Sequence, residues 1–412
     1  MNDYIPRTLE VSIQKFLNRR EIIAITGVRQ CGKTTLIKKI MGDLQQMGAA
    51  CNYLTFDDFK LQALIRDDLD SFIDIHIKPF KYVFLDEIQY INESGRILKF
   101  IYDTCNTKIF VTGSSATEIS IQGLKYLVGR IINFTLYPFS FEEYLNVKSP
   151  SITSVYKKGE YKNEITKQLN KLLTEFLLYG GFPEVVLTED KEIKIKILEN
   201  IYSTFMLREV KDLFDLSEDY KLNQLLKALS LQIGNLVNYN ELTSITGISY
   251  PKLKNYLNIL LKTFVIGFVI PYYTNKRTEL KKNPKIYFID PGFRNICMDL
   301  FSPSSLEQGG VYEQFIYNEL RKTGLELKYW RTKSGAEIDF VVDHDFPLPV
   351  EIKKNLKGAD ITRSFSSFLQ KYTPAQAYIF SMSFEGNTSH NKTSIKFLPF
   401  VKCNQFIRSL NI

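Results

Sequence analysis

Gly27-Val28-Arg29-Gln30-Cys31-Gly32-Lys33-Thr34 decides how the first part of this chain folds. Two glycines bracket four unconstrained positions, and a lysine and a threonine follow at once, which is the spacing of a phosphate-binding Walker A loop. The flanks agree with that reading. Ile22 to Thr26 is an apolar, β-branched run that reads as a buried strand, and Thr34 to Gln46 reads as an amphipathic helix. A strand, a glycine-rich turn and a helix N-terminus in succession turn main-chain N–H groups inward and form an anion nest. Val28, Arg29, Gln30 and Cys31 lend that nest their amides, and Gly27 and Gly32 let the backbone approach phosphate closely. Lys33 is expected to reach the β- and γ-phosphates. The Thr34 hydroxyl is expected on Mg²⁺, with Thr35 beside it in the first helical turn. The implied ligands are ATP or ADP with Mg²⁺.

Working outward, further strands are expected at Asn52 to Phe56, Tyr82 to Asp86, Ile109 to Thr112 and Ile131 to Leu136, with a helix at Ser94 to Cys105. Strands alternating with helices mean βαβ units and a parallel sheet, so the fold class is α/β. Tyr82 to Leu85 ends in Asp86-Glu87 at the carboxyl edge of that sheet, where open parallel sheets bind ligands. Asp86 is read as a Mg²⁺ partner and Glu87 as the general base for an attacking water. Beyond Thr112-Gly113, Ser114 is the chosen γ-phosphate or water contact, with Ser115 as the alternative. Arg130 is a candidate for charge stabilisation, in its own chain or across a subunit interface; the other reading is a surface ion pair.

These motifs are followed by Tyr137-Pro138-Phe139-Ser140-Phe141-Glu142-Glu143, Tyr179-Gly180-Gly181-Phe182-Pro183, Lys285-Ile286-Tyr287-Phe288-Ile289-Asp290 and Trp330-Arg331-Thr332-Lys333. In that order they resemble the AAA-type ATPases of archaea and bacteria that carry a C-terminal domain of unknown function. The resemblance implies an ATPase core at 1–140, a helical lid at 141–230, a winged helix at 231–300 and a nuclease-like domain at 301–412. In related signal-transducing ATPases a Gly-x-Pro element of the lid approaches the nucleotide, and Gly181-Phe182-Pro183 matches it, which makes Pro183 a nucleotide-contact candidate. The sensor arginine of typical AAA proteins is not identifiable, a departure from the family pattern that speaks against ring assembly.

Within 311–380 the expected order is α-β-β-β-α-β, which is similar to the restriction-endonuclease-like fold. Period-two geometry puts Glu337 and Asp339 on one strand face, and Glu351 and Lys353 on one face of the next strand. Asp339, Glu351 and Lys353, eleven residues separating the two acids, resemble a PD-(D/E)xK site, with Glu313 as a further acidic ligand. Two readings stay open: an active metal-dependent nuclease, or a degenerate site whose charges form a salt-bridge cluster.

Gly247-Ile248-Ser249 reads as the turn of a helix-turn-helix ahead of Tyr250 to Thr263, while Lys148 to Lys162 reads as a polar interruption of the lid. Between Pro251 and Lys285 stand eight basic residues and one acid, Glu279, with Lys252, Lys254 and Asn255 off the apolar stripe. That pattern suits double-stranded DNA, or else a protein-docking spacer. The net charge of +8 over 412 residues is compatible with either. Five scattered cysteines without zinc or redox spacing imply reduced thiols and a cytoplasmic setting. Three separated histidines argue against a histidine-built metal site. No signal pattern opens the chain, and its longest mid-chain apolar run, Phe264 to Ile270, is far short of a membrane span.

Overall fold

The computed structural model describes residues 4–113, 126–159, 161, 163–205, 219–273, 279, 282–307, 309–343 and 346–410. Chain contacts divide into two units, one of residues 1–139 with 262–264, the other of residues 140–261 and 265–412.

The first unit holds a parallel sheet of β1 (Ile22–Gly27), β2 (Cys51–Thr55), β3 (Tyr82–Asp86), β4 (Lys108–Thr112) and β5 (Ile131–Leu136), in the order β2-β3-β4-β1-β5. Strands β1, β3 and β4 are buried along their whole length. That is why they read in the sequence as unbroken apolar runs rather than alternating ones. Two cores cover the two faces. On one, Ile23, Ile25, Phe84 and Phe110 pack with Leu36, Ile37 and Ile40 of the helix Lys33–Gln46. On the other, Ala24, Val83, Leu85 and Val111 pack with Phe72, Leu98 and Ile101. The register aligns Gly27 with Leu136 and Leu85 with Val111, so the strand ends that carry the motifs lie along one edge.

The second unit begins with a helix Phe141–Lys148, started by a capping box: the Ser140 hydroxyl accepts from the Glu143 N–H, and the Glu143 carboxylate accepts from the Ser140 N–H. That reciprocal pair accounts for the Ser140-Phe141-Glu142-Glu143 motif. The polar interruption expected at Lys148 to Lys162 is instead largely a helix, Pro150–Lys158. Pro150 sits in its first turn, where a missing N–H costs nothing, and Gly159 ends it in the left-handed conformation. The helices Tyr239–Thr246 and Tyr250–Lys262 flank the expected turn, and Leu253, Tyr256, Leu257 and Leu260 are buried.

The sheet of this unit crosses the boundary expected at residue 300. It comprises β6 (Ile266–Pro271), β7 (Lys285–Phe288), β8 (Glu326–Arg331), β9 (Glu337–Asp343), β10 (Pro347–Ile352), β11 (Gln376–Ser381), β12 (Gly386–His390) and β13 (Thr393–Pro399). Their order is β12-β13-β11-β10-β9-β8-β6-β7. Strand β6 joins β8 in parallel through Ile270–Lys328 and Pro271–Tyr329, so the 266–288 hairpin is hydrogen-bonded into the C-terminal sheet. The β12–β13 hairpin and the helix Cys403–Ser409 extend the expected α-β-β-β-α-β order.

Candidate functional site

The loop after β1 is built around two backbone conformations closed to most side chains. Gly27 has φ +144°, and a Cβ there would lie 2.0 Å from the Leu136 carbonyl oxygen of β5. Gly32 has φ +95° at the start of the helix Lys33–Gln46. Lys33 is 6% exposed, and its Nζ donates to the carbonyls of Gly27 at 3.2 Å and Val28 at 2.9 Å. The ammonium is thus held inside the loop by the loop's own backbone. Thr35 is exposed on the helix.

Asp86, 2% exposed, gathers three hydroxyls from three elements. Its Oδ2 accepts from Thr34 Oγ1 at 2.8 Å and from Tyr53 OH of β2 at 2.6 Å, and its Oδ1 accepts from Thr112 Oγ1 of β4. A buried carboxylate is costly unless its oxygens are hydrogen-bonded, and these three hydroxyls supply that. Burial, with Asp86 beside it, pushes the Tyr53 phenol up, which keeps it protonated and donating. The Thr34 hydroxyl and an Asp86 carboxylate oxygen in contact are a pair of hard oxygen donors of the kind Mg²⁺ takes, so these residues fit the ion.

Glu87 follows in the left-handed conformation, φ +56°. Its N–H donates to Thr112 Oγ1 at 3.2 Å, and Gln89 Nε2 donates to its carboxylate. Half-burial pushes the Glu87 carboxyl up, in the direction that makes it a better proton acceptor near neutral pH. Ser114 and Ser115 lie outside the described residues. Arg130 stands at the amino end of β5, its carbonyl accepting from the Ile22 N–H, whereas the loop leaves the carboxyl end of β1. It pairs with Asp103 at 2.9 Å. Parallel strands thus put Arg130 a full strand length from its own chain's loop, which corrects the expectation of a role there within one chain.

Three residues at this site escaped the sequence reading. Tyr53 and Thr112 are seen above. The third, Arg7, is 7% exposed. Its Nη1 donates to the Cys31 carbonyl at 2.9 Å, its Nη2 donates to the Tyr137 carbonyl at 2.5 Å, and its guanidinium lies 4.8 Å from the Phe139 ring centroid. One side chain therefore ties the loop to the segment after β5. An isolated arginine near a chain start carries no local signal for that.

In the second unit, the Tyr179-Gly180-Gly181-Phe182-Pro183 motif meets the motif ending in Asp290. The Asp290 carboxylate accepts from Gly181 N–H at 2.7 Å and Phe293 N–H at 3.0 Å, and a Cβ on Gly180 would lie 2.1 Å from Asp290 Oδ1. Pro183, half-buried, opens the short helix Pro183–Leu187.

The nuclease-like residues do come together, but not as a metal centre. Asp339 and Glu351 are cross-strand neighbours, in the register that pairs Phe340 with Val350. Asp339 Oδ2 accepts from the Ile352 N–H at 2.8 Å. Glu351 takes Lys353 Nζ at 2.9 Å and the Thr362 hydroxyl at 3.1 Å. Lys285 Nζ sits among Glu337 at 2.6 Å, Asp339 at 3.5 Å and Glu313 at 3.6 Å. With an ammonium at their focus and the inner oxygens already engaged, these carboxylates do not fit a divalent ion. Among the described residues, no group of three or more His, Cys, Asp or Glu side chains is arranged to hold one.

Residues 19–145 match the family model of the AAA domain. Residues 170–304 and 308–401 match models of two domains of unknown function, DUF8612 and DUF4143. An uncharacterized protein of Haemophilus influenzae is 27% identical over 333 residues, 78% of this chain and 79% of its own length. One of Methanocaldococcus jannaschii is 28% identical over 332 residues, 78% of this chain and 72% of its own length. Among solved structures, the Walker-type ATPase of Pyrococcus abyssi is similar at 17% identity and a TM-score of 0.46, covering 72% of this chain and 96% of that one. No helix among the described residues is long and apolar enough to cross a membrane. The first unit of this chain carries an AAA-type ATPase domain of the P-loop kind.

Proposed function

We propose that the chain is a Mg²⁺-dependent ATPase that associates with DNA and passes its nucleotide state to the second unit. The observation that carries the ATPase reading is the Thr34–Asp86 contact at the mouth of the loop, with Glu87 one residue beyond. When bound there, Mg²⁺ would neutralise charge on the phosphates. On nucleotide arrival Lys33 exchanges the Gly27 and Val28 carbonyls for phosphate oxygens, a short move for an ammonium already inside the loop. Loop amides from Val28 to Thr34 orient the phosphate chain, and Glu87 takes a proton from the attacking water. Ser114 is a further nucleotide contact in this reading, and Arg130 acts on the nucleotide of a neighbouring copy.

DNA association is supported by the exposed side chains of Lys252, Lys254 and Asn255 on the helix Tyr250–Lys262, directly after the Gly247 turn. Lys254 Nζ lies 4.7 Å from the Tyr250 ring centroid, and the lysine side chain is exposed to solvent. A second reading is a slow nucleotide switch that acts on a protein partner, favoured if the same face binds no DNA. Steady-state hydrolysis by Glu87→Gln tests the assignment. Turnover should fall by about 10²–10⁴-fold with ATP affinity kept, and unchanged turnover would reject it.

A further inference from the structure

Lys285 opens β7 and is 2% exposed, yet it carries an ammonium. The carboxylates facing it come from two other elements. Glu313 lies on the helix Gly310–Arg321, while Glu337 and Asp339 share one face of β9. Tyr287, two residues along β7 and so on the same face as Lys285, donates its hydroxyl to Glu313 at 3.0 Å. Arg331 Nη1 approaches the far oxygen of Glu337 at 3.4 Å. Three carboxylates within 3.6 Å of one nitrogen is a geometry that carboxylates adopt around a shared cation. Here that cation is covalently part of the chain.

We propose that Lys285 is the built-in cation of this cluster, standing where a metal-dependent nuclease would hold its ion, so that the site fastens the β6–β7 hairpin to the C-terminal sheet and does not cleave phosphodiesters. The charge arithmetic supports it. Without a cation, Glu313, Glu337 and Asp339 repel one another in a largely buried place, and one ammonium relieves all three contacts at once. The field of those carboxylates outweighs the desolvation of Lys285 and holds it protonated, while burial and Asp339 push Glu313 up. A tethered ammonium also needs no loading from solution and has no open coordination position for water. The hairpin it fastens runs on to Asp290, which holds the Gly180-Gly181 turn, so the lock sits between two of the chain's motifs.

The test uses the full chain without nucleotide, with Mn²⁺ as probe. Electron paramagnetic resonance should find equal Mn²⁺ uptake by the native chain and by Asp339→Asn. Lys285→Met should melt several degrees lower than the native chain, and adding Glu337→Gln to it should recover part of the loss, because the second change removes a repelling charge. Lys285→Arg keeps the cation and should melt close to the native chain, which guards against a Lys285→Met variant too unstable to purify. Mn²⁺ bound by the native chain and lost in Asp339→Asn would overturn the proposal. So would a Lys285→Met chain that melts like the native one.

Discussion

The hydroxyl of Thr34 donates to the carboxylate of Asp86 across 2.8 Å, joining the first turn of the loop's helix to the end of β3. Asp86 accepts two further hydroxyls, from Tyr53 and Thr112, so one carboxylate fixes the ends of β2, β3 and β4 against the loop. The oxygen donors proposed for Mg²⁺ are thereby held in place by the sheet itself. Thr34→Val removes the hydroxyl while keeping the side chain's outline. Hydrolysis should drop on the order of 10²–10³-fold, the usual cost of losing one group that stabilises transition-state charge. Excess chelator should do the same to the native chain. Turnover undiminished in chelator would show that Mg²⁺ has no part.

Arg7 gives a prediction about affinity rather than chemistry. Its two hydrogen bonds to backbone carbonyls are charge-assisted, one buried and one part-buried, each worth about 1.5–3 kcal/mol. Arg7→Ala should loosen the loop, raising the KM for ATP about tenfold or more with a smaller change in kcat. Arg7→Lys should recover little, since a point charge cannot span both the Cys31 and Tyr137 carbonyls. A kcat effect with KM unchanged would place Arg7 in a different role.

Asp290 makes stability depend on pH in a direction opposite to most carboxylates. Burial pushes its carboxyl up to about 6 from an ordinary 3.8, despite the N–H groups of Gly181 and Phe293 that favour the ion. The folded state then binds the proton more tightly than the unfolded one. Stability from this group is fully present below about pH 4 and is lost as pH rises through about 6, by on the order of 2–3 kcal/mol. Asp290→Asn should abolish that downward step in urea titrations between pH 4 and 7, while losing one N–H partner at every pH. An unchanged step in Asp290→Asn would assign it elsewhere.

For DNA, Lys252→Ala with Lys254→Ala should weaken binding and flatten the dependence of log affinity on log salt by about two phosphate contacts, near 0.9 each. Equal loss at all salt concentrations would mean that these lysines do not touch phosphate. No binding by the native chain at low salt would favour the protein-partner reading.

How much of this was readable from sequence follows from where each signal lies. Strand β3 is buried along its whole length and β5 is a β-branched, largely apolar run, so both can be bounded from composition alone, and the loop and Asp86-Glu87 are local strings. Strand β12 escaped notice because Gly386 to His390 is polar and half-exposed, with a weak apolar pattern. Tyr53, Thr112 and Arg7 matter through contacts made only after the sheet assembles. The pairing of Asp339 with Glu351 was legible from strand periodicity. Lys285 was not, because it arrives from a hairpin that the sequence assigns to another domain.

The central claim is that the loop from Gly27 to Thr34 grips a triphosphate. Titration calorimetry of ATP with Mg²⁺ into the folded native chain and into Lys33→Ala tests it most directly. The account predicts saturable uptake of one nucleotide per chain, with the heat abolished or affinity lowered at least about 100-fold in the variant. Native protein that takes up no ATP at millimolar concentration, or a Lys33→Ala variant that binds as tightly, would contradict it.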